Sequence, residues 1–455
     1  MNNNRRIINL FFLLLFLVIA PIAKAQQRLT VYAGKPVAAV SPTMWGIFFE
    51  DINFAADGGL YAELVKNRSF EFYNPMMGWK ELKPKGSSGK LLVINRADKN
   101  SQNPRYANIS VDNNSAGYGI SNEGFRGMGI TGNKEYIFSL LAKKERGSVA
   151  IRIELVGSNG EKIGEARLSG LSAQWKKYSV SFTTTATEPK AHLDIYFEGN
   201  GSIDADVISL FPKDTWKGRP NGLRKDLVQM LADLKPGFMR FPGGCIVEGH
   251  ELETRYQWKK TIGDPLNRHL MINRWNTEIR NRQAPDYYQS FGLGFYEYFQ
   301  LAEDIGASPL PILNCGMACQ FNTKEVAPMD QLDPFIQDAL DLVEFANGST
   351  ATKWGKLRAE LGHPSPFNLK MIGVGNEQWD EQYIDRYKQF EKAFSKKYPA
   401  IKLVAAAGPD PDGQRFDYAW SEFRKLHPSF IDEHYYKPPQ WFFDNAGRYD
   451  NYSIR

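Results

Sequence analysis

The sequence predicts an α/β protein: a parallel (β/α)8-type TIM barrel, with only about six of its strands present, interrupted by an inserted antiparallel β-sandwich. Short apolar runs alternate with amphipathic helical segments, and each run ends in polar or glycine-rich residues on one side only. Between the first of these units and the rest, from Tyr73 to Pro212, the hydrophobic pattern changes to alternation of period two. A chain of 455 residues is long enough to bury both cores.

The N-terminus has the features of a secretory leader over residues 1–25. Arg5 and Arg6 precede the apolar run Ile7–Ala20, and a small-x-small cleavage site ends at Ala25. We therefore expect an exported protein, periplasmic or secreted, that has no membrane attachment after cleavage near Ala25. Loss of the leader lowers the formal net charge from +5 to about +2, so we expect no nucleic acid as a partner.

The first barrel unit is predicted at residues 45–72. Met44–Asp51 is an apolar run that ends in two carboxylates, as expected of a buried strand, and Leu60–Asn67 is predicted to be a helix. The segment before this unit, residues 26–44, contains a predicted strand at Arg28–Tyr32.

The insertion is predicted to span residues 73–212 and to consist of many short strands. The clearest strands are Tyr136–Ala142, Val149–Val156, Trp175–Thr183, His192–Phe197 and Ile203–Phe211. Asn-Gly chemistry at Ser158–Gly160 predicts a hairpin turn. Such spacing is typical of a β-sandwich of the kind that often binds carbohydrate. The aromatic residues that could stack on sugars, with core packing as the alternative, are Trp79, Tyr106, Tyr118 and Phe125.

Strand–helix alternation returns over residues 213–455, the predicted remainder of the barrel. The predicted strands are Phe238–Cys245, Pro309–Asn314, Met371–Glu377, Leu403–Gly408 and Phe430–Tyr436. The predicted helices are Leu223–Leu234, Leu293–Ile305, Pro334–Asn347, Gln382–Lys396 and Tyr418–Leu426. With Met44–Asp51 this makes about six strands, whereas a closed barrel has eight. An open barrel leaves an unpaired edge, so we expect the sequence to be C-terminally incomplete.

The residues at the C-terminal ends of the predicted strands are the candidates for chemistry, because side chains from different strands meet there. They are Glu50, Asp51, Arg240, Asn314, Asn376, Glu377, Asp432, Glu433, His434, Tyr435 and Tyr436. This set is rich in carboxylates, amides and aromatic rings, and no glycine-rich phosphate loop or serine-nucleophile motif accompanies it. It suits cleavage of a glycosidic bond, which needs one carboxyl to protonate the leaving oxygen and another to attack or to activate water.

Four motifs carry a resemblance to a known family. Trp45–Ile52, Arg240–Gly244, Gly373–Glu377 and Asp432–Tyr436 together resemble the α-L-arabinofuranosidases of glycoside hydrolase family 51. The Asn-Glu pair alone is shared by a whole clan of barrel glycosidases, but four motifs in this order around an inserted sandwich are more specific. The resemblance covers residues 26–455. It implies a non-reducing-end α-L-arabinofuranosidase that acts with retention on plant-type arabinose-containing polysaccharides or oligosaccharides.

The resemblance also implies a role for individual residues. Glu377 would be the general acid/base, and Asn376 would hydrogen-bond the 2-hydroxyl of the substrate. The remaining substrate-binding candidates are Glu50, Asn314, His434 and Tyr436. For Glu50 the alternative is a salt bridge to Arg240.

The nucleophile of this family is a glutamate on the seventh strand, which we expect beyond Arg455. Glu433 is a poor substitute, because it alternates with His434 and should face the other side of the barrel wall. Two alternatives stay open: a catalytically inert carbohydrate-binding fragment, and a related barrel glycosidase that cleaves pyranosidic main chains. The motifs at Trp45–Glu50 and Arg240–Gly244 count against the second alternative.

No cofactor and no metal are expected, because two carboxylates suffice for the reaction and no His/Cys cluster has metal-binding spacing. The cysteines are Cys245, Cys315 and Cys319, which is too few for a disulfide framework. Cys315 and Cys319 are either a disulfide or two buried thiols. Cys245 occupies a position where many members of the family have asparagine. The expected partners are arabinofuranosyl-containing saccharides, and the oligomeric state, including a homo-oligomer, is left open.

Overall fold

The computed structural model describes residues 30–35, 39–96, 101–276 and 286–452, so the predicted leader lies outside the described residues. The chain forms two units, Met1–Met44 and Trp45–Arg455. In the first unit the described residues form turns, one closed by a hydrogen bond of 3.0 Å from Lys35 N to Tyr32 O. Of the strand predicted at Arg28–Tyr32, residues 30–32 are described, and they lie outside any strand.

The second unit contains all of the described strands and α-helices. The strands are β1 (Ile47–Phe48), β2 (Trp79–Leu82), β3 (Gly89–Asn95), β4 (Arg105–Asn122), β5 (Met128–Ile130), β6 (Glu135–Val156), β7 (Lys162–Leu168), β8 (Lys176–Thr183), β9 (Glu188–Pro212), β10 (Phe238–Phe241), β11 (Met271–Ile272), β12 (Tyr288–Gln289), β13 (Ser308–Leu313), β14 (Met371–Val374), β15 (Lys402–Ala406) and β16 (Phe430–Asp432). The helices are α1 (Lys225–Asp233), α2 (Cys245–Glu248), α3 (Phe295–Asp304), α4 (Asp333–Asn347), α5 (Lys353–Glu360), α6 (Asp380–Lys397), α7 (Gln414–Leu426) and α8 (Pro439–Asp444). Within the described ranges, no helix combines the length and the apolar character that a bilayer crossing requires.

The barrel part is a six-stranded parallel sheet with the order β1-β10-β13-β14-β15-β16. All six predicted barrel strands are therefore present. The prediction of a buried strand at Met44–Asp51 is wrong in its extent and its burial, because β1 has two residues and Phe48 is 52% exposed. Neighbours in the sheet are also consecutive barrel strands of the sequence, so their carboxyl ends lie along one edge. The strands are nearly continuous apolar runs because helices such as α3, α4 and α6 cover the sheet and share its core.

One predicted element of the first barrel unit is wrong: Leu60–Asn67 is not a helix. This segment instead runs beside the end of β9, where Leu64 N donates to Leu210 O at 3.0 Å. The buried carboxylate of Glu63 accepts from Leu210 N at 3.0 Å and from Val65 N at 3.0 Å. These tertiary hydrogen bonds satisfy the backbone in an extended path, and they outweigh the weak local preference for a helix.

The inserted part is an antiparallel sheet with the order β2-β4-β9-β6-β7, in which β3, β5 and β8 pair with β4, β9 and β6. The strands β4, β6 and β9 have 18, 22 and 25 residues, so several pairs of predicted short strands are halves of one long strand. Register shifts interrupt the β4–β9 and β6–β9 pairings. Because Ile109 and Ile120, from the two halves of β4, belong to one buried core, the bent strands form both layers of the sandwich.

The hairpin turn predicted at Ser158–Gly160 is confirmed between β6 and β7. Gly160 has a φ of +85°, a backbone conformation that glycine adopts without strain.

Two of the aromatic candidates for sugar stacking are core residues. Trp79 is 4% exposed and Tyr118 is 0% exposed, so neither ring has a face available to a saccharide. Trp79 Nε1 donates to Asn67 O at 3.0 Å, and the Tyr118 hydroxyl donates to Glu81 at 2.5 Å. Phe125 is half-buried against Phe54, at a ring separation of 6.0 Å.

Tyr106 is also half-buried, and its ring packs edge-on against Trp175 at 5.6 Å. Arg96 lies over both rings, at 5.5 Å from Tyr106 and 5.9 Å from Trp175. Arg96 also lies 3.6 Å from the buried carboxylate of Asp206, so these two half-buried rings border a charged part of the sandwich.

Candidate active site

Glu377 lies just beyond the carboxyl end of β14, in a turn whose backbone conformation is unfavourable for most residues. Its φ is +56° and that of Gly375 is +73°, so both residues are in the left-handed region. For a residue with a side chain this conformation costs free energy and persists only where the surroundings impose it. The hydroxyl of Tyr383 holds the end of the strand, donating to Val374 O at 2.7 Å and accepting from Ala406 N at 2.7 Å. The Glu377 carboxylate is thus aimed by a rigid turn.

His434 bridges Glu377 and Asp432. Its Nδ1 lies 2.7 Å from Glu377 Oε1 and its Nε2 lies 3.1 Å from Asp432 Oδ2. Burial alone would lower the pKa of His434, but the bonds to Asp432 and Glu377 outweigh it and raise that pKa to about 9. Burial would raise the pKa of Asp432, but the hydrogen bond from His434 and the charge of Arg240 lower it. A doubly protonated imidazole therefore donates to Asp432 Oδ2 and to Glu377 Oε1 at neutral pH.

Asn376 is fixed from both ends of its side-chain amide. Its Oδ1 accepts from Arg240 at 2.8 Å, and its Nδ2 donates to Glu248 Oε2 at 3.0 Å. The other oxygen of Glu248 accepts from Gln378 Nε2 at 2.9 Å. Arg240 reaches Asp432 as well, at 3.3 Å, which joins this set of residues to His434.

Glu50 follows β1 and binds the turn after β10. Its Oε1 accepts from Gly244 N at 3.0 Å and from Ile246 N at 3.2 Å. Burial raises the pKa of Glu50, although these backbone donors and the charge of Arg240 oppose the shift. The alternative of a Glu50–Arg240 salt bridge does not occur among the described contacts, because Arg240 instead pairs with Asp432.

Asp51, the second carboxylate at this strand end, is a structural residue. It is 1% exposed and accepts from the Tyr287 hydroxyl and, at 2.9 Å, from Ala56 N. Burial, reinforced by the charge of Asp57, raises the pKa of Asp51 to about 7.

The chain is similar to known proteins in both sequence and structure. Residues 230–455 match the family model described as alpha-L-arabinofuranosidase 1 domain, and residues 62–205 match a carbohydrate binding domain. An extracellular exo-alpha-L-arabinofuranosidase of Streptomyces chartreusis is 40% identical over 94% of this chain and 51% of its own length. Alpha-L-arabinofuranosidase 2 of Arabidopsis thaliana is 35% identical over 90% of this chain and 59% of its own length. The structure of an arabinose-bound GH51 α-L-arabinofuranosidase matches with a TM-score of 0.78 and 30% identity, over 92% of this chain and 66% of that one.

The chain belongs to the α-L-arabinofuranosidases of glycoside hydrolase family 51. It spans about half the length of the curated relatives that it matches.

Of the predicted substrate-binding residues in this family 51 chain, Tyr436 is exposed and Asn314 is buried. Tyr436 is 81% exposed and lies close enough to Glu377 and Glu50 for their charges to act on it. Asn314, by contrast, is buried with its amide committed to the backbone. Its Nδ2 donates to Val247 O at 3.2 Å and Met317 O at 2.9 Å, and its Oδ1 accepts from the backbone of the turn after β13. Asn314 therefore shapes that turn, and its predicted contact with the sugar is not supported.

Glu433 faces away from Glu377 in the family 51 site. It accepts from Trp420 Nε1 at 2.7 Å and from the Tyr449 hydroxyl at 2.8 Å, and the Tyr435 hydroxyl also donates to it. Tyr435 accordingly packs on the far side of the sheet end, where its ring contacts Trp441 and Phe442.

Sequence reasoning missed the carboxylate that holds the family 51 motif together, Glu248. It is 2% exposed, and burial is the main cause that raises its pKa well above the usual range. The available signal was its place in the turn after β10, only a few residues beyond Arg240–Gly244. Sequence reasoning also missed Gln378, directly after the Asn-Glu pair. Glu248 and Gln378 are hydrogen-bonded to each other but far apart in the sequence, so spacing gave no sign of this contact.

All three cysteines are free thiols, and Cys315 and Cys319 are buried, which supports the buried-thiol alternative. Cys319 lies 3.5 Å from an Arg274 nitrogen that donates to it. Cys245 lies 3.9 Å from Glu377 Oε2. The side chain of Cys245 thus borders the carboxylate oxygen that His434 leaves unbound.

Proposed function

We propose that the protein is an exported, retaining α-L-arabinofuranosidase that releases non-reducing-end α-L-arabinofuranosyl residues from arabinose-containing polysaccharides or oligosaccharides. The proposal rests mainly on the position of Glu377, which a left-handed turn holds beside the hydrogen-bonded Asn376 at the carboxyl end of β14. Family membership supports the reaction, and the name of the Streptomyces relative, an extracellular enzyme, supports export.

Glu377 acts as the general acid/base in this proposal. Its Oε1 is bonded to His434, so Oε2 is the oxygen that meets the substrate. In the first step Oε2 gives its proton to the glycosidic oxygen as the bond from that oxygen to the anomeric carbon breaks and a nucleophilic carboxylate bonds to the anomeric carbon. In the second step the same oxygen takes a proton from the water that attacks the anomeric carbon, and the bond to the nucleophilic carboxylate breaks.

The residues around Glu377 supply contacts to the furanose ring. Asn376 has a second N–H besides the one that binds Glu248, and we assign it to the 2-hydroxyl, where a hydrogen bond strengthens as positive charge develops on the ring. Glu50 Oε2 accepts from ring hydroxyls, since Oε1 is held by backbone donors. His434 and Tyr436 line the remaining side of the subsite.

The attacking carboxylate of a retaining enzyme lies about 5–5.5 Å from the acid/base. Three other carboxylates of the site have hydrogen-bond partners of their own: Glu50 binds two backbone N–H groups, Glu248 binds two side-chain amides, and Asp432 binds Arg240 and His434. We therefore do not assign the nucleophile to any of these three carboxylates.

The competing function is an inert carbohydrate-binding fragment. The match of residues 62–205 to a carbohydrate binding domain favours it, together with the half-buried pair of Tyr106 and Trp175. In that case saccharide binding would depend on the sandwich and not on the barrel.

Binding and turnover on the purified 455-residue chain test the proposal together. By calorimetry we expect an arabinofuranosyl oligosaccharide to bind, and Glu50→Gln to weaken binding about tenfold or more, as loss of a charge-assisted hydrogen bond implies. Glu381→Gln, on the exposed first turn of α6, is the matched control and should bind like the wild type. We expect hydrolysis of 4-nitrophenyl α-L-arabinofuranoside to stay at the level of Glu377→Ala.

Three results would contradict the proposal in different ways. Tighter binding of xylopyranosyl than of arabinofuranosyl oligosaccharides would contradict the substrate. Arabinoside binding that is unchanged in Glu50→Gln but lost in Trp175→Ala would establish the binding fragment instead. Turnover well above Glu377→Ala would place a nucleophile within the present chain.

A further inference from the structure

We propose that Cys245, Glu248 and Cys319 form a binding site for a thiophilic divalent cation such as Zn²⁺, next to Glu377. Metal binding at this site does not require the saccharide chemistry proposed above. We refer to the three residues as the Cys-Glu-Cys cluster.

The distances in the Cys-Glu-Cys cluster suit a metal ion. One carboxylate oxygen of Glu248 and the two Sγ atoms all lie within 4.8 Å of one another. Tetrahedral zinc with Zn–S bonds of about 2.3 Å sets its sulfur ligands about 3.8 Å apart. The two sulfurs therefore need to close by about 1 Å at most, and each sulfur–oxygen pair by about 1.3 Å at most, which side-chain rotation supplies.

The backbone brings the ligands together from two segments. Cys245 and Glu248 are three residues apart in α2 and so lie on one side of that turn. Cys319 belongs to the turn after β13, and its N–H donates to Gly249 O at 3.3 Å, directly after α2. Cys319 and Glu248 are each 2% exposed, so their donor atoms are already removed from bulk water.

The surroundings match the charge of a divalent cation. Two thiolates and a carboxylate carry three negative charges, and the Arg274 guanidinium, 3.5 Å from Cys319, offsets one of them. Asn376 and Gln378 donate to the Glu248 carboxylate and fix its orientation, while each oxygen keeps a second lone pair for a metal. Two sulfur donors favour zinc or cadmium over magnesium and calcium, which prefer oxygen ligands alone.

Occupancy of the cluster would affect the neighbouring carboxylate. The set provides three protein ligands, which leaves one position of a tetrahedral ion open. Cys245 Sγ lies 3.9 Å from Glu377 Oε2, so that position is within reach of Glu377. On the proposed function, a bound cation would hold Oε2 and block the acid/base step; metal binding itself does not depend on that function.

Cadmium is a suitable probe, because its bonds to thiolates absorb in the ultraviolet. We expect the reduced, metal-free chain to bind one Cd²⁺ with a thiolate-to-metal absorption band, Zn²⁺ to displace it, and Mg²⁺ to leave it unchanged. Cys319→Ser and Cys245→Ser should each lower the affinity at least about 100-fold, since even loss of an outer-shell partner costs 10–100-fold. Cys315→Ser is the matched control, because Cys315 is a buried thiol outside the cluster, and it should bind Cd²⁺ normally.

Alkylation of the wild type gives a second measurement that does not rely on a variant folding. Iodoacetamide should react first with Cys245, the half-buried thiol, and abolish the band while the thermal unfolding transition is retained. The proposal is overturned if Cys319→Ser binds Cd²⁺ as the wild type does, or if Cd²⁺ binds without the band. It is also overturned if added oxidised glutathione, which is reduced to two glutathione thiols in the exchange, joins Cys245 and Cys319 in a disulfide as fast with saturating Zn²⁺ as without it.

Discussion

Between pH 6 and pH 10 the free energy of unfolding of the wild type should fall by about 3 kcal/mol relative to that of His434→Gln. The pKa of His434 is about 9 in the folded chain, and an unfolded histidine has a pKa of about 6.5. Because the folded pKa is the higher one, the stabilisation is complete below about pH 6.5 and is lost as the pH rises through about 9.

The physical cause is the position of His434 between two carboxylates. The imidazole is 16% exposed, and its two nitrogens lie 3.1 Å from Asp432 and 2.7 Å from Glu377. The folded state therefore holds the second proton that the unfolded chain releases near neutrality, while Arg240 opposes this effect only in part.

Urea unfolding of both proteins at each pH gives this difference directly. The subtraction removes other groups that titrate in the same range, such as Asp51 with its pKa of about 7. When both proteins also carry Asp432→Asn, the effect of His434→Gln on the free energy of unfolding should change less between pH 6 and pH 10, because His434 has lost one of its two anionic partners. A difference that is the same at pH 6 and pH 10 would contradict the bridging role of His434.

Arg358→Met should lower the free energy of unfolding by about 3–5 kcal/mol, the range expected when a buried charged residue leaves its partners unpaired. Arg358 is 1% exposed. Its guanidinium donates to the backbone oxygens of Phe345 at 2.7 Å, Gly348 at 2.8 Å, His363 at 3.0 Å and Pro364 at 3.0 Å. Methionine fills most of the volume but leaves these carbonyl groups without a donor.

The measurement is the urea midpoint of Arg358→Met, with Lys356→Met as the matched control on the same helix. Lys356 is 69% exposed and its ion pair with Glu360 spans 3.8 Å, so its loss should change stability by less than about 0.5 kcal/mol. Equal midpoints for the two variants would show that water, and not Arg358, satisfies these carbonyls.

Hydrophobic periodicity predicted the barrel strands and helices well, because buried parallel strands are continuous apolar runs between amphipathic helices. Met371–Glu377, for example, contains β14, and Pro334–Asn347 corresponds to α4. The failure at Leu60–Asn67 has a tertiary cause, since its backbone partners, among them Leu210, are supplied by a strand more than a hundred residues away.

In the sandwich, too, the sequence predicted local strands but not the long-range contacts. Alternation located the halves of β6 and β9, but only the pairing register joined them into strands of 22 and 25 residues. Alternation also does not distinguish an open aromatic face from a core, so Trp79 and Tyr118 were candidates until their burial was known.

The sequence by itself determined the fold class, the six parallel strands and the strand ends that carry Glu50, Asn376, Glu377 and His434, because periodicity and strand-end position are local properties. Only the tertiary structure decided how these side chains are used. In the folded chain the Asn314 amide hydrogen-bonds the backbone, and Arg240 hydrogen-bonds Asp432 and not Glu50. The fold also places Cys319 beside Cys245 and Glu248. Contacts of this kind join segments far apart in the chain, and residue spacing carries no record of them.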